Sequence, residues 1–595
     1  MAGDSADASD SISPLVGLVY IFNLIVGTGA LTMPAAFKDA GWLLSLIIVV
    51  VLAFMSYLTT TFVIEAMASA NALVHWKTLQ HYKRVVDEEE STITQAKQED
   101  MVYCALGCSK CLKCSAWPTV QLVGRSAAMK AKLSKRNYLA IQIERVTNEL
   151  RTDDIISKCV DEDERVPLLL SNAAERMAES SHVNYFAITE RFELGKMASL
   201  FFSKVGVNLF YICIAVYLYG DLAIYGAAIS KSVRDVACQL PATSIENLTT
   251  PTNISNETHP NDLPCWKSST ITRGNAYRIF LLAFLGLVGP FTFFNVQKTK
   301  YLQIFTTLMR WIAFTSMIVL CALALGQGKG QGHPALAVPT GLPNLFGVCV
   351  YSFMCHHSLP SLVTPWREKR NLFPLLAADY MLILGFYTLL SFTGIFTFPE
   401  LHDMYTLDFQ PNSDTGSSII PRIPVLQYFL SLFPVFTLST NFPIIAITLR
   451  NNLRSLFLRE ESASSQLGLK SRSISSSGSS IHVGTPPPQS CKQMLVERFI
   501  FPLLALLPPV AIALATESVE FLVGFTGSYA GAFIQYIIPV ALVHRARKQV
   551  LEALGLGVKN QHASPFRHGA WLIFVLVWAV ACVTLVTVNH IIIRA

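Results

Sequence analysis

Residues 22–34 read FNLIVGTGALTMP. An apolar run that would otherwise form one helix is interrupted by Gly27-Thr28-Gly29, and Pro34 follows closely. Glycine costs about 1 kcal/mol against alanine in a helix interior. In hydrocarbon the freed backbone groups find no water, so irregular backbone at that depth is tolerated where it lines a cavity. There, free N–H groups can hold a carboxylate and free C=O groups a cation. The other reading of Gly-x-Gly is a close helix contact through small residues.

The rest of the chain shows that hydrocarbon is the relevant solvent. Of 595 residues, 52% are hydrophobic and 14% charged, with mean hydropathy +0.43, whereas soluble chains carry about 25% charged residues. Apolar stretches recur at 15–36, 42–66, 205–228, 277–296, 302–325, 343–365, 374–398, 424–449, 499–516, 519–543 and 569–592. Their length predicts an all-α polytopic membrane protein of about eleven spans. An outer-membrane barrel needs short alternating segments instead. The ninth and tenth stretches are divided only by ATESVE. The acidic start, MAGDSADASD, lacks the basic region of a signal peptide, so the first span is expected to stay in the mature chain.

Lysine and arginine set the orientation. Lys298 and Lys300, then Arg367, Lys369 and Arg370, then Arg450 and Arg454, then Arg545, Arg547 and Lys548 fall in loops on one side. The opposite short loops hold little more than Lys329 and Arg422. This predicts a cytoplasmic N-terminus (1–14) and a lumenal or extracellular C-terminus. The loop 229–276 carries three sequons, at Asn247, Asn253 and Asn256, on the side where glycosylation occurs. It also holds Cys238 and Cys265, which on an oxidising side are expected to form a disulfide; two free thiols are the alternative. Residues 67–204 are a large cytoplasmic insert between the second span and spans 3–8 (205–450). Residues 451–498, Ser-rich over 455–490 with TPPPQ, read as a disordered cytoplasmic loop before spans 9–11 (499–595).

A second interruption lies in the sixth stretch, FMCHHSLPSLVTP, where Cys355, His356, His357 and Ser358 precede Pro360. Interrupted helices at matching positions of two five-span halves point to a transporter site at the repeat interface. The first and sixth spans match under that symmetry.

NLIVGTGALTMPAAFKDAGW resembles the first span of the amino acid/auxin permease family: an Asn, a short apolar step, a Gly-Ser/Thr-Gly break and a small-residue stretch ending in Gly. VYSFMCHHSLPSLV resembles its sixth span, where Cys-His precedes a proline. TGIFTF in the seventh and FPIIAITLRNNL at the end of the eighth also fit. The large insert and the paired histidines place the resemblance closest to one branch of that family. The resemblance covers the membrane spans and leaves out 67–204. It implies an APC/LeuT-type fold, two inverted repeats of five helices plus one more, and an ion-coupled amino-acid transporter driven by Na⁺ or H⁺. It implies a substrate held at Gly27, Thr28 and Gly29 and faced by Phe353, Met354, Cys355 and His356. Asn23 matches a position tied to sodium in the sodium-coupled branch, and Ser439, Thr440 and Asn441 are the candidate partners in the eighth span.

Proton coupling needs a titratable group in a cavity, and ionisable residues inside a membrane are functional candidates by default. Asp221, Asp379, His356 and His357 qualify, although Asp221 and Asp379 lie where they can also reach interfacial water. His356 and His357 are adjacent, so they do not share a helix face and are not expected to chelate one metal.

Outside the membrane, Glu164, Leu168 and Leu169 in DEDERVPLLL match the acidic dileucine pattern that sorting adaptors read. This favours a lysosomal or endosomal membrane, with the plasma membrane second. Cys104, Cys108, Cys111 and Cys114 in CALGCSKCLKC could supply a Cys₄ zinc set. Their spacing is tight for two knuckles, and S-acylation or plain reduced thiols are alternatives. No G-x-S-x-G, H-E-x-x-H or P-loop pattern occurs, so no enzyme and no cofactor are expected. The basic residues flank spans and do not suggest nucleic acid. The expected function is alternating-access amino-acid symport. The rival is a non-transporting sensor or scaffold that signals to a cytosolic regulatory partner through its insert.

Overall fold

A computed structural model describes residues 12–107, 184–238, 260–266, 270–293, 300–410, 419–421, 423–457, 499–555 and 558–594. Among these the regular elements are helical, with two isolated β-bridges, Ile12 with Trp366 and Pro264 with Thr272. The helices are α1 Pro14–Ile25, α2 Thr28–Ala40, α3 Trp42–Gly107, α4 Leu194–Phe201, α5 Lys204–Ala237, α6 Arg273–Val288, α7 Lys300–Gly326, α8 Leu342–Ser352, α9 Leu359–Val363, α10 Leu372–Thr397, α11 Pro424–Phe457, α12 Phe501–Ala515, α13 Val519–Thr526, α14 Ile538–Leu554 and α15 Gly569–Arg594. Two π-helical turns, Gly527–Gly531 and Phe533–Ile537, join α13 to α14.

Helix starts follow the capping chemistry of the sequence. Ser13, Ser203, Thr272 and Ser518 each accept a bond from a backbone N–H three residues on, satisfying one of the orphan donors of the first turn. Pro14 at the first helical position has no N–H to orphan. Residues 67–106 hold neither proline nor glycine. Helix α3 accordingly continues past the expected end of the second span and into the insert. Between α2 and α3 the chain turns at Gly41, with φ +85°. A Cβ there would lie 2.8 Å from Ala337 Cα, so glycine is needed for both conformation and space.

Eight helices are long and apolar enough to cross a bilayer, nine with the bent pair α1–α2, among the described residues. This establishes a multi-pass membrane protein. The expected sixth and ninth spans are helical but shorter. The sixth is split into α8 and α9, and α12 has 15 residues, about 22 Å of helix.

The chain divides into two compact units. The larger, Ala6–Val63, Glu193–His544 and Ser564–Ala595, contains the broken helices. In it α5 packs on α6, α11, α12 and α13, α7 on α10 and α11, and α8 on α2 and α13. The smaller is built on Ile64–Phe192 and Arg545–Ala563. There Arg547 makes a two-pronged bond to Glu65 (Nε–Oε1 and Nη2–Oε2, both 2.8 Å). The buried Asn71 amide oxygen accepts from the Thr189 and Glu190 N–H groups (3.2 and 2.9 Å), fastening the end of the insert to α3.

Candidate functional site

The break in the first span falls at Val26-Gly27, and α1 and α2 meet at 55°. Gly27 retains some solvent exposure, while Ile25, Val26, Thr28 and Gly29 are buried. A Cβ on Gly27 would meet nothing nearer than the Leu24 carbonyl at 3.7 Å, but one on Gly29 would lie 2.2 Å from Ser352 Oγ. Gly29 is thus a close contact between helices, the small-residue reading of Gly-Thr-Gly, while Gly27 has room for a methyl group in ordinary contact with its own helix.

The break in the sixth span runs from Phe353 to Ser358, between α8 and α9. The backbone where it begins is held from two other helices, and a third holds the side chain just before it. Ser56 Oγ on α3 donates to the Phe353 carbonyl (3.0 Å). Tyr387 on α10 places its hydroxyl 2.8 Å from the Ile25 carbonyl and 3.0 Å from the Ser352 carbonyl. One buried phenol thus bridges both broken helices. On α5, Asp221 is buried and accepts from the Tyr351 hydroxyl.

The helix-1 carbonyls are not empty-handed. Arg310, on α7 and only 8% exposed, donates through Nη1 to the Asn23 carbonyl and lies 3.5 Å from both Asn23 Oδ1 and the Val26 carbonyl. Phe22 stacks on the neighbouring Trp311 with ring centroids 4.7 Å apart, which seats α7 against α1.

The remaining sequence candidates divide into those near the breaks and those elsewhere. The Phe353 ring packs edge-on to Tyr387 (5.3 Å), and the Met354 methyl approaches the π turn at Gly531. Cys355 Sγ lies 3.2 Å from the Tyr380 hydroxyl. His356 Nε2 bonds Thr59 Oγ1 (2.9 Å) and lies 3.4 Å from Thr60 Oγ1, so its contacts run to α3, not to the helix-1 break. His357 faces the other way, with its ring 5.6 Å from that of Tyr217. Asp379 is buried, and its Oδ2 has no hydrogen-bond partner among the described residues. Ser439, Thr440 and Asn441 are partly buried on α11. Thr440 Oγ1 bonds back to the Thr437 carbonyl (2.9 Å), and among the described residues no hydrogen bond links the three to helix 1. Cys238 and Cys265 are joined as a disulfide with Cα atoms 4.5 Å apart.

Asn247, Asn253, Asn256, Glu164, Leu168, Leu169, Cys108, Cys111 and Cys114 lie outside the described residues, as does the Cys104 side chain. Sequence reading missed Arg310, Tyr387, Ser352, Tyr351 and Tyr380. A lone arginine within the apolar stretch 302–325 was itself a signal, by the same rule that selected Asp221. The tyrosines carried none, because a phenol inside a span is ordinary until its partner is known.

The chain matches a family model described as "Transmembrane amino acid transporter protein" over residues 10–129 and 263–586. It is 47% identical to Transmembrane protein 104 of Homo sapiens over 592 residues, covering 99% of this chain and 98% of that protein. It is 43% identical to the Transmembrane protein 104 homolog of Drosophila melanogaster, covering 98% of each. With the homolog of Dictyostelium discoideum it shares 30% identity over 99% of this chain and 98% of that protein. The resemblance carried by the first and sixth spans is thereby borne out, and the chain belongs to the transmembrane amino acid transporter family.

Proposed function

We propose that this protein is a secondary carrier of amino acids that works by alternating access, with its substrate at the breaks in the first and sixth spans. The observation that carries the reading is the meeting of the two interruptions inside one unit, with Tyr387 bridging the Ile25 and Ser352 carbonyls and Gly27 at the first break retaining some exposure. Irregular backbone from two helices at one place offers unpaired donors and acceptors to a zwitterion. The start of α2 presents N–H groups and a positive dipole end to a carboxylate. Asp221, with Tyr351, supplies a buried counter-charge for an ammonium group. The family's activity supports the substrate class, and the driving ion, Na⁺ or H⁺, belongs to the same proposal. An APC-type 5+5 repeat and a lysosomal or endosomal address complete it.

The test is uptake of a labelled amino-acid panel into proteoliposomes holding the full chain, under imposed Na⁺ and pH gradients. Saturable uptake that one gradient accelerates is the expected result. Binding seen as a melting shift, with no flux under any gradient, would replace the carrier by an amino-acid sensor. Flux that rises linearly with concentration would replace it by a channel.

A further inference from the structure

The C-terminal end of α1 is a site that calls for positive charge. The last carbonyls of a helix have no intrahelical partner, and the dipole of the half-helix ends negative there. In broken-helix carriers, carbonyls of this kind coordinate the coupling cation. Here the oxygens are the carbonyls of Asn23 and Val26 and the Asn23 side chain, and all three face one nitrogen, Arg310 Nη1.

A buried guanidinium usually has a carboxylate beside it, since an unpaired charge in hydrocarbon is costly. Among the described residues Arg310 forms no salt bridge. Its hydrogen bonds run to the carbonyls of the helix-1 break and to the Asn23 amide oxygen, the kind of oxygen set a monovalent cation would occupy. Among the described residues the eighth-span hydroxyls that would complete an oxygen shell make no hydrogen bond to this place, and the Thr440 hydroxyl donates within its own helix to the Thr437 carbonyl.

We infer that Arg310 is a tethered cation standing where a coupling sodium would sit, so that the helix-1 break needs no sodium and movement of amino acids by this chain is independent of it. The inference rests on the carrier reading only for its second half. A guanidinium cannot dissociate or deprotonate in this setting, so the charge at the break is constant through a transport cycle and α7 stays coupled to α1.

The experiment compares the purified full chain with Arg310→Ala and Arg310→Lys by thermal melting, titrating NaCl against choline chloride at constant ionic strength. Uptake of the amino-acid panel in the same two salts runs in parallel. The wild-type midpoint should be the same in both salts. Arg310→Ala should melt lower in choline and recover ~2–4 °C as sodium fills the vacated oxygens, and Arg310→Lys should lie between. A saturable sodium shift in the wild type overturns the inference. So does an Arg310→Ala protein that sodium leaves unchanged. Where Arg310→Ala fails to fold, the wild type and Arg310→Lys decide: a sodium response in the wild type, or none in Arg310→Lys, overturns the inference, and an indifferent wild type beside a partly responsive Arg310→Lys upholds it. Absence of uptake in both salts removes the carrier reading, while the melting pattern still decides the role of Arg310.

Discussion

A methyl group added at Gly29 would sit 2.2 Å from Ser352 Oγ and 2.8 Å from Ser352 Cα, whereas at Gly27 the nearest atom is 3.7 Å away. Gly29→Ala should therefore cost about 1–3 kcal/mol through overpacking, and Gly27→Ala should cost less, both read by thermal melting. A larger effect at Gly27 would deny that it has room for a methyl group. His402, in the loop after α10, supplies a second test. Its Nδ1 lies 2.6 Å from Oδ1 of the buried Asp408, and its backbone N–H donates to the same oxygen (3.1 Å). The hydrogen bond to that carboxylate raises the imidazole's pKa above its ordinary value, against desolvation and Lys231, which lower it. A raised folded-state value means the stabilisation is full below about pH 6.5 and is lost as pH rises through the folded value. The side chain is half exposed, so screening holds the effect to no more than about 1 kcal/mol. His402→Gln should remove part of the wild type's extra stability at pH 5.5 over pH 8, and an unchanged difference would exclude this pair. At this scale the sequence was legible for Gly27 and Asp221, whose types are costly in hydrocarbon. It was silent on Ser352 and Tyr387, whose roles exist only through a partner far along the chain.

Elements were more legible than residues. Glycines in an apolar run, and a polar run ending in proline, each mark a place where a helix cannot continue, and α1–α2 and α8–α9 part at those places. What no local pattern conveys is how the pieces touch. Gly347 on α8 and Gly527 in the first π turn are both small because the two backbones meet: a Cβ on Gly527 would lie 2.0 Å from the Gly347 carbonyl. Asn344 on α8 also donates to Glu520 on α13. Beyond the ends of the spans, α5 is held by charge. Arg234 bonds Asp235 (2.7 Å) and Glu517 (2.8 Å), and Arg273 at the start of α6 bonds Asp235 (2.6 Å). Arg234 and Asp235 are nearly buried. Arg234→Ala leaves two carboxylates short of a partner, and denaturation should show a loss of about 3–5 kcal/mol. Adding Glu517→Ala should restore part of that loss, because residues in one ionic network do not act additively; simple additivity would show the pair to be independent.

For the whole molecule, composition and hydropathy sufficed to place the chain in a membrane, because bilayer thickness fixes the length of apolar run that a helix needs. They did not give the length of every helix. Helix α3 runs on into the insert because nothing in residues 67–106 breaks it, and α12 is short although its composition is strongly apolar. The relationship to the Transmembrane protein 104 chains extends through the insert, whereas the family model leaves out 130–262. Features of 130–262 shared among those chains therefore belong to that branch and not to amino-acid transporters at large. The Tyr387 hydroxyl has one more consequence. It owns a single proton and faces two carbonyls, one from each broken span. The Ile25 oxygen also accepts from the Gly27 N–H (2.8 Å), so it keeps a donor whichever way the phenol turns. A swing of one O–H bond can therefore fasten the sixth span without stripping the first.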